Sequence, residues 1–368
     1  MLIGSTVTSE LKIASEQILG YAPLAYIGLQ KNSIMPETKV ICLTPCRNEN
    51  WVIDIHLKAA SQWADHIIVG DQMSDDGTRE TVRRYPKACL VDNYGKGYDE
   101  GERHRVVLEA ARKIRGQKIL LAIDSDELLS ANWINSTEWQ KLLRLPTGTA
   151  IYARWANILP GFKTWFAMGG PFVIGYVDDG RIPYSPGKFH VPRLAIPSDA
   201  PRFILGDIRV LHLQYTDQAR SASKNRAYQV QEWVVAPHRP IRLFRRFNPM
   251  AGLTSKDVHP VLTEWIDGFA RQGIDWTTIH VDGAYRWDPL VLEKLISQGP
   301  SFFRKLDIWD VEWQKLASQH GINTNCCDLS DPRTMLERAL HAFLRCTQPV
   351  MGNPIVRMAQ QLLRVAGW

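Results

Sequence analysis

The hydrophobic and polar positions of residues 39–143 alternate between two spacings. Short apolar runs predict strands, and apolar residues three or four positions apart between these runs predict amphipathic helices. The predicted strands are 39–44, 65–70, 87–92 and 118–123, and the predicted helices are 49–63, 79–85, 99–115 and about 133–143. This β-α-β-α-β-α-β-α order predicts a parallel sheet with helices on both faces.

The pattern changes on both sides of this region. Further predicted strands cover 149–159, 188–194 and 208–215, and further predicted helices cover 217–235, 240–247, 288–299, 302–319, 331–346 and 355–366. We therefore predict an α/β fold with a mostly parallel, Rossmann-type sheet and a mainly helical C-terminal region. The predicted parts are an N-terminal extension (1–37), an α/β domain (38–235) and a helical region (236–368).

Polar clusters follow three of the predicted strands, and they are Thr44-Pro-Cys-Arg-Asn-Glu-Asn50, Asp71–Thr78 and Asp124–Glu127. In open α/β sheets, ligands bind beyond the carboxyl ends of the strands. We therefore expect the three clusters to converge on one edge of the sheet.

The third cluster follows an apolar run, Ile119–Ile123, that is typical of a strand buried on both faces. Carboxylates at such a position are costly unless a cation meets them. In an extended segment Asp124 and Asp126 lie on the same side, roughly 7 Å apart. This spacing suits one divalent ion, or one carboxylate on the ion and the other on the ligand that the ion carries. The alternative is a helix N-terminus, with Asp124 or Ser125 as the cap.

These motifs together resemble the family 2 glycosyltransferases and their GT-A fold, over roughly residues 39–235. Thr44-Pro-Cys-Arg-Asn-Glu49 is similar to the end of that family's first strand, and Asp71–Thr78 is similar to its D-x-x-S-x-D-G-T loop. Asp124-Ser-Asp126 is similar to its metal-binding Asp-x-Asp motif. The resemblance implies a GT-A-like sheet and metal-dependent, inverting transfer of a sugar from a nucleotide-sugar.

The resemblance also assigns roles to individual residues. The nucleotide-sugar-binding residues that it implies are Pro45, Arg47, Asn48, Glu49, Asp71, Asp76, Asp124 and Lys188. Asp124, Asp126 and His212 are the implied ligands of Mn2+ or Mg2+. The family's late acidic pair, which activates the acceptor, has no clear copy here. Asp178 and Asp179 form the adjacent pair in the expected region and are the predicted catalytic residues, with Asp199 and Asp207 as rivals.

Each of these residues also has a structural explanation. Arg47 can pair with Glu49, and Asn48 can cap the following helix. Asp71 can close an Asx turn, Lys188 can be a strand-edge lysine, and His212 can be a hydrogen-bonded residue of an apolar strand.

Charge and composition narrow the class of protein. The 368 residues are 45% hydrophobic and carry 44 Lys and Arg against 38 Asp and Glu, which indicates a globular protein with a net charge of +6. Between Arg181 and Phe247 there are twelve basic and four acidic residues, which favours an anionic ligand or a membrane surface. The basic, amphipathic segment 355–366 is predicted to pack on the protein, with a membrane surface as the alternative.

The 6 cysteines match no metal site well and indicate free thiols in a reducing compartment. No signal segment or membrane span is evident, so we expect a cytoplasmic protein, with the inner face of the membrane as an alternative location. Nothing in the composition indicates a nucleic-acid partner.

The predicted function is transfer of a sugar to a glycan, a lipid-linked acceptor or another hydroxyl acceptor, in bacterial surface polysaccharide synthesis. One alternative is a sugar nucleotidyltransferase, although Pro45-Cys-Arg-Asn48 stands where those enzymes carry a Gly-rich loop. The other alternative is a non-catalytic protein that binds nucleotides or carbohydrates with the same fold.

Overall fold

A computed structural model describes residues 38–368 with several gaps. The gaps are Lys96, Tyr98, Ile182, residues 184–190, His238, Val281, Asp282, Ala284, Asn325 and Cys326. The predicted extension 1–37 and the predicted ligand Lys188 lie outside the described residues. Glu37 to Trp368 form one compact unit.

A ten-stranded mixed sheet forms the centre of this unit. Its strands are β1 (Lys39–Cys46), β2 (His66–Asp71), β3 (Ala88–Asp92), β4 (Lys118–Ala122), β5 (Glu127–Leu129), β6 (Ala150–Ile158), β7 (Thr164–Phe166), β8 (Phe172–Val177), β9 (Arg202–His212) and β10 (Val258–Pro260). The strand order is β10-β7-β6-β8-β4-β1-β2-β3, and β9 pairs with both β5 and β6. The four neighbouring strands β4, β1, β2 and β3 are parallel, whereas β8 runs antiparallel to β4.

Helices flank the sheet and make up most of the C-terminal region. They are α1 (Ile53–Trp63), α2 (Thr78–Arg83), α3 (Glu100–Arg112), α4 (Thr137–Leu142), α5 (Gln218–Val235), α6 (Pro240–Phe247), α7 (Thr263–Arg271), α8 (Asp288–Gln298), α9 (Trp313–Gln319), α10 (Met335–Cys346) and α11 (Pro354–Val365). The predicted α/β class, with helices on both faces of a central sheet and a mainly helical C-terminal region, is confirmed.

The two faces of β1 explain its continuous apolar run. Val40 and Cys42 pack into the core that includes residues of α1, whereas Ile41 and Leu43 pack into the core that includes residues of α3. Because successive side chains of a strand point to opposite faces, a strand covered by helices on both sides has no polar face. This burial holds the carboxyl ends of β1 and β4 in fixed positions.

The C-terminal helices share cores with the α/β region. Trp233 of α5 packs in one core with Leu243 of α6 and Leu295 of α8, so the predicted boundary at residues 235 and 236 falls inside a packed cluster. In a second core, Trp265 of α7 packs with Trp51. None of the described helices is long and apolar enough to span a bilayer.

Two local predictions were wrong. The segment predicted as one helix, 302–319, contains the end of a short 3-10 turn at Pro300–Phe303 and then, after an irregular stretch, α9. The described part of the predicted strand 188–194, residues 191–194, has no strand pairing.

Candidate functional site

The carboxyl ends of β1 and β4 open onto a cavity of about 310 Å³, called here the strand-end cavity. Its acidic lining residues are Glu49, Glu100, Asp124 and Asp126, and its basic lining residues are Arg103, Arg193, Lys224 and Arg286. Pro45 and His104 also line it. The predicted residues Pro45, Glu49, Asp124 and Asp126 are therefore brought together at one edge of the sheet, beside cations from four other parts of the chain.

Arg193 bridges two carboxylates of the third polar cluster. Its guanidinium donates to Asp124 Oδ2 at 2.6 Å, to Glu127 Oε2 at 2.6 Å and to Glu127 Oε1 at 2.8 Å. Trp155 Nε1 donates to Glu127 Oε1 at 2.6 Å, and Asp124 N donates to Glu127 Oε2 at 3.0 Å. Glu127 is therefore a buried residue that holds Arg193, and it fixes the position of Asp124.

The carboxylates at this site differ in the ease with which they ionise. Desolvation raises the pKa of Asp124, Arg193 opposes this, and the nearby Glu127 and Asp126 raise the pKa further, to about 6. Desolvation favours a higher pKa for Glu127 as well, but the charge and the hydrogen bonds of Arg193 outweigh this effect, and the pKa of Glu127 is lowered. A cation bound beside Asp124 would relieve this like-charge repulsion.

Asp126 lies between a lysine and a histidine. Its Oδ2 is 3.5 Å from Lys224 Nζ and 3.8 Å from His212 Nε2. Desolvation disfavours the charged form of Asp126, yet Lys224 and, when it is protonated, His212 hold the pKa of this carboxyl well below its usual range. Asp126 is therefore an ionised carboxylate at neutral pH.

The hydrogen bonds of His212 indicate which ring nitrogen is free. Asn157 Nδ2 donates to Phe166 O at 3.2 Å, so Asn157 Oδ1 faces His212 Nδ1, at 2.9 Å. An amide oxygen only accepts, so this network assigns the proton to Nδ1. The lone pair of a neutral His212 then lies on Nε2, which faces the Asp126 carboxylate. Orientation of a histidine by an outer partner in this way is usual for metal ligands.

The separation of these two atoms fits a shared divalent ion. Ligand distances of about 2.0–2.2 Å allow an oxygen and a nitrogen on one ion to lie up to about 4 Å apart, and the observed distance is 3.8 Å. Among the described residues, no three His, Cys, Asp or Glu side chains are grouped so as to hold a metal ion by themselves. The residues thus fit an ion whose shell is completed by substrate phosphates, as is common for Mg2+.

Glu49 organises the cations on the other side of the cavity. Its Oε2 accepts from Trp51 Nε1 at 2.6 Å and from Arg220 at 2.8 Å, and its Oε1 accepts from Arg286 at 2.9 Å. The Arg220 guanidinium lies 3.8 Å from the Trp51 ring centre and 4.6 Å from that of Trp287. Glu49 therefore pairs with these two arginines.

The first two polar clusters contact each other directly. Asn48 N donates to Ser74 Oγ at 2.7 Å, and Asn48 Nδ2 donates to Asp75 Oδ1 at 2.8 Å. Asn48 does not cap α1, whose N-cap is Val52. Asn48 and Asp76 instead line a neighbouring cavity of about 100 Å³.

Two predicted ligand residues lie elsewhere. Asp71 is fully buried, accepts from Ser74 N, three residues further on, at 3.0 Å, and pairs with Arg79 at 2.6 Å. Asp71 therefore has local structural contacts, although its bond to Ser74 N spans one residue more than the Asx turn named as its structural explanation. Arg47 is exposed at the end of β1 and lies outside the lining of the strand-end cavity.

Asp178 and Asp179, the predicted catalytic pair, are not brought to this site. They follow β8, whose Val177 pairs with Ile119 at the start of β4, whereas Asp124 follows the end of β4. Because β8 is antiparallel to β4, its carboxyl end lies at the opposite edge of the sheet. Asp178 pairs with Arg112. Asp178 and Asp179 are therefore not in a position to act as the catalytic base at the strand-end cavity, which corrects the prediction.

The rival residues do not replace this pair. Asp199 and Asp207 are both exposed, and neither lines the strand-end cavity.

Several residues of the site were not singled out from the sequence. Arg193 lies between β8 and β9, and Arg286 lies between α7 and α8. Arg103 and His104 come from the first turns of α3. Desolvation and the nearby Arg193 and Arg103 lower the pKa of His104 to about 3, so His104 is neutral at physiological pH. The excess of basic residues between Arg181 and Phe247 was the available signal for Arg193 and Lys224.

No protein-family model matches the chain, and no curated protein matches it. Among solved structures, a glucosyl-3-phosphoglycerate synthase from Mycobacterium tuberculosis, in complex with Mn2+, uridine diphosphate and phosphoglyceric acid, is 19% identical over 32% of this chain and 43% of its own, with a TM-score of 0.25. A 4-diphosphocytidyl-2C-methyl-D-erythritol synthase is 15% identical over 49% of this chain and 93% of its own, with a TM-score of 0.27.

A mannose-6-phosphate isomerase from Helicobacter pylori is 10% identical over 39% of this chain and 61% of its own, with a TM-score of 0.26. The chain thus spans less than half the length of the synthase from Mycobacterium tuberculosis. TM-scores this low assign neither a family nor an activity to this chain.

Proposed function

We propose that this protein transfers a sugar from a nucleotide-sugar donor to a hydroxyl acceptor at the strand-end cavity. The observation that carries the proposal is the lining of this cavity, where Asp124 and Asp126 lie among Arg103, Arg193, Lys224 and Arg286 at the carboxyl ends of β1 and β4. In a complex of a diphosphate with a divalent ion, the phosphate oxygens would pair with these Arg and Lys side chains, and the ion would pair with the carboxylates.

In the proposed reaction, an acceptor oxygen bonds to the anomeric carbon while the bond from that carbon to the phosphate oxygen breaks. The nucleoside diphosphate leaves with the electron pair, and the acceptor hydroxyl loses its proton. A bound Mn2+ or Mg2+ would supply Lewis-acid neutralisation of the departing diphosphate. The proposed ligands are Asp126 and His212, with Asp124 on the ribose or at the ion.

The cations of the cavity have a separate role in this proposal. Lys224 and Arg193 are fixed by carboxylates before any donor binds, so their charge is already in place when negative charge builds on the leaving group. Arg193 would exchange part of its contact with Asp124 for a phosphate oxygen. The base that accepts the hydroxyl proton is not assigned, and inversion at the anomeric carbon stays a prediction.

The acceptor and the cellular setting are proposals as well. A glycan, a lipid-linked sugar or another hydroxyl compound would suit the reaction. Assembly of a bacterial surface polysaccharide in the cytoplasm stays the predicted setting.

The proposal predicts that purified protein with Mn2+ or Mg2+ binds a nucleoside diphosphate and releases it from the matching nucleotide-sugar. Calorimetry with UDP, GDP, CDP, ADP and dTDP would identify the base, and the sugars of that nucleotide would then be tested for release. Release of pyrophosphate from a nucleoside triphosphate and a sugar phosphate would instead indicate a nucleotidyltransferase. Failure to bind any of the five nucleotides would contradict the proposal.

A further inference from the structure

A second and larger cavity, of about 1090 Å³, lies between α6 and α11. Its basic lining residues are Arg239, Arg242, Arg245, Arg246, Arg357 and Arg364. None of its described lining residues is acidic, and the sequence of residues 236–252 and 347–368 contains no Asp or Glu. Among the described residues, this arginine cavity shares no lining residue with the strand-end cavity.

Most of this positive charge has no ion-pair partner among the described residues. Arg246 lies 3.7 Å from Glu232, and Arg245 donates to Leu344 O and Gln348 Oε1, which are uncharged. For the other four arginines, the described part of the chain provides no carboxylate within ion-pairing distance. Five arginines with no carboxylate partner among the described residues, together with Arg246, create a positive field that favours an anionic partner.

A buried amide in the arginine cavity also lacks a partner. Gln360 of α11 is 6% exposed and lines the cavity, yet its Nε2 has no hydrogen-bond acceptor among the described residues. A buried donor left unpaired is costly, so Gln360 Nε2 needs an acceptor from an ordered water or a bound ligand. The arginines and this amide together suit phosphate oxygens.

An exposed apolar stripe runs along α11 beside the arginines. Its members are Ile355, Met358, Leu362 and Val365, which are between 61% and 86% exposed. Their spacing of three and four residues places them on one face of the helix. Leu363, on another face, packs against the core that contains Trp368. The helix thus has a packed face, a basic face and an apolar face that is left in solvent.

We propose that α11 and the arginine cavity bind the protein to the surface of an anionic phospholipid bilayer. The arginines would contact headgroup phosphates, and the apolar stripe would enter the boundary between headgroups and acyl chains, as amphipathic interfacial helices do. A soluble polyanion would leave the apolar stripe uncovered. A symmetric contact with a second copy would bring two sets of six arginines together, which like-charge repulsion opposes.

Vesicle co-sedimentation of the full chain tests this proposal. We expect binding to vesicles of phosphatidylcholine with about one third phosphatidylglycerol, weakening as salt increases, and little binding to pure phosphatidylcholine. Replacing three arginines (Arg242→Gln, Arg357→Gln and Arg364→Gln) should reduce affinity for the anionic vesicles on the order of 100-fold. Replacing two members of the stripe (Met358→Ser and Leu362→Ser) should reduce it about tenfold or more.

Each variant has a matched control of the same chemistry. The triple Arg115→Gln, Arg144→Gln and Arg271→Gln removes the same charge from exposed arginines elsewhere. The pair Met168→Ser and Leu290→Ser removes the same apolar groups from other exposed positions. Both controls should bind the vesicles as the unaltered chain does, and circular dichroism would check that all four variants fold.

Several outcomes would overturn the proposal. The first is that the protein binds neutral and anionic vesicles equally, or that a matched control loses as much affinity for the vesicles as the variant it is matched to. The second is binding of inorganic polyphosphate in the arginine cavity without binding of vesicles, which would assign the cavity to a soluble anion. The third is that the unaltered chain forms a dimer and does not bind vesicles, while the variant with Met358→Ser and Leu362→Ser is a monomer.

Discussion

Replacing Asp126 with Asn is expected to reduce release of nucleoside diphosphate on the order of 1000-fold, because a Lewis acid contributes several kcal/mol to such a step. Asp126 is the ionised carboxylate that faces His212 Nε2 at 3.8 Å, so the substitution removes the charge that would hold the ion. The amide has the same shape, and therefore the fold should persist. The rate of nucleoside diphosphate release from the matching donor tests the first expectation, and a thermal melt tests whether the fold persists.

The partner of Asp126 sharpens this test. If His212 and Asp126 hold the same ion, His212→Gln should also lower turnover, and the double variant should be little worse than Asp126→Asn alone. Asp267→Asn, which changes an exposed carboxylate on α7, serves as the matched control. Fully additive losses, or a loss in the Asp267 variant of equal size, would argue against a shared ion.

Replacing Arg193 with Met is expected to lower the free energy of unfolding by about 3–5 kcal/mol at neutral pH, as for other buried ion pairs with one partner removed. The Arg193 side chain is 15% exposed and that of Glu127 is 1% exposed, so the carboxylate would remain buried without its cation. Chemical denaturation measures the change. Arg105→Met, which breaks ion pairs that are more than one third exposed at Glu102 and Glu109, should cost at most about 1 kcal/mol.

The cost of Arg193→Met should also depend on pH. In the unaltered protein the lowered pKa of Glu127 means that its stabilising contribution is present above its unfolded pKa and is lost as the pH falls. Without Arg193, the buried carboxylate is instead costly when charged and is relieved by protonation. The difference between the two proteins should therefore shrink from neutral pH to about pH 5. A difference that is constant over this range would mean that lost packing against Phe172 and Trp155 dominates.

The sheet could be predicted from the sequence because each strand is marked by residues that are neighbours in the chain. The apolar runs of β1 and β4 are continuous since both faces of these strands are buried, and polar residues begin where each strand ends. The same reasoning placed Glu49, Asp124 and Asp126 at one edge. It failed for 302–319, where residues 304–312 are irregular rather than helical.

The site was only partly predictable because its cations come from distant segments. Arg193 lies 66 residues after Glu127, and Arg286 lies 237 residues after Glu49. Contacts between residues so far apart in the chain produce no short-range pattern that could be recognised in the sequence. Asp178 and Asp179 were placed wrongly because an acidic pair does not reveal the direction of its strand. The antiparallel direction of β8 decides at which edge of the sheet the pair lies.

The most direct test of the central claim is the affinity of the protein for its nucleoside diphosphate, measured by calorimetry with Mn2+ and again with EDTA. If Asp126 and His212 hold an ion that bridges to the diphosphate, Mn2+ should tighten binding at least about tenfold, and Asp126→Asn should abolish this gain. Equal affinity with Mn2+ and with EDTA would contradict the account.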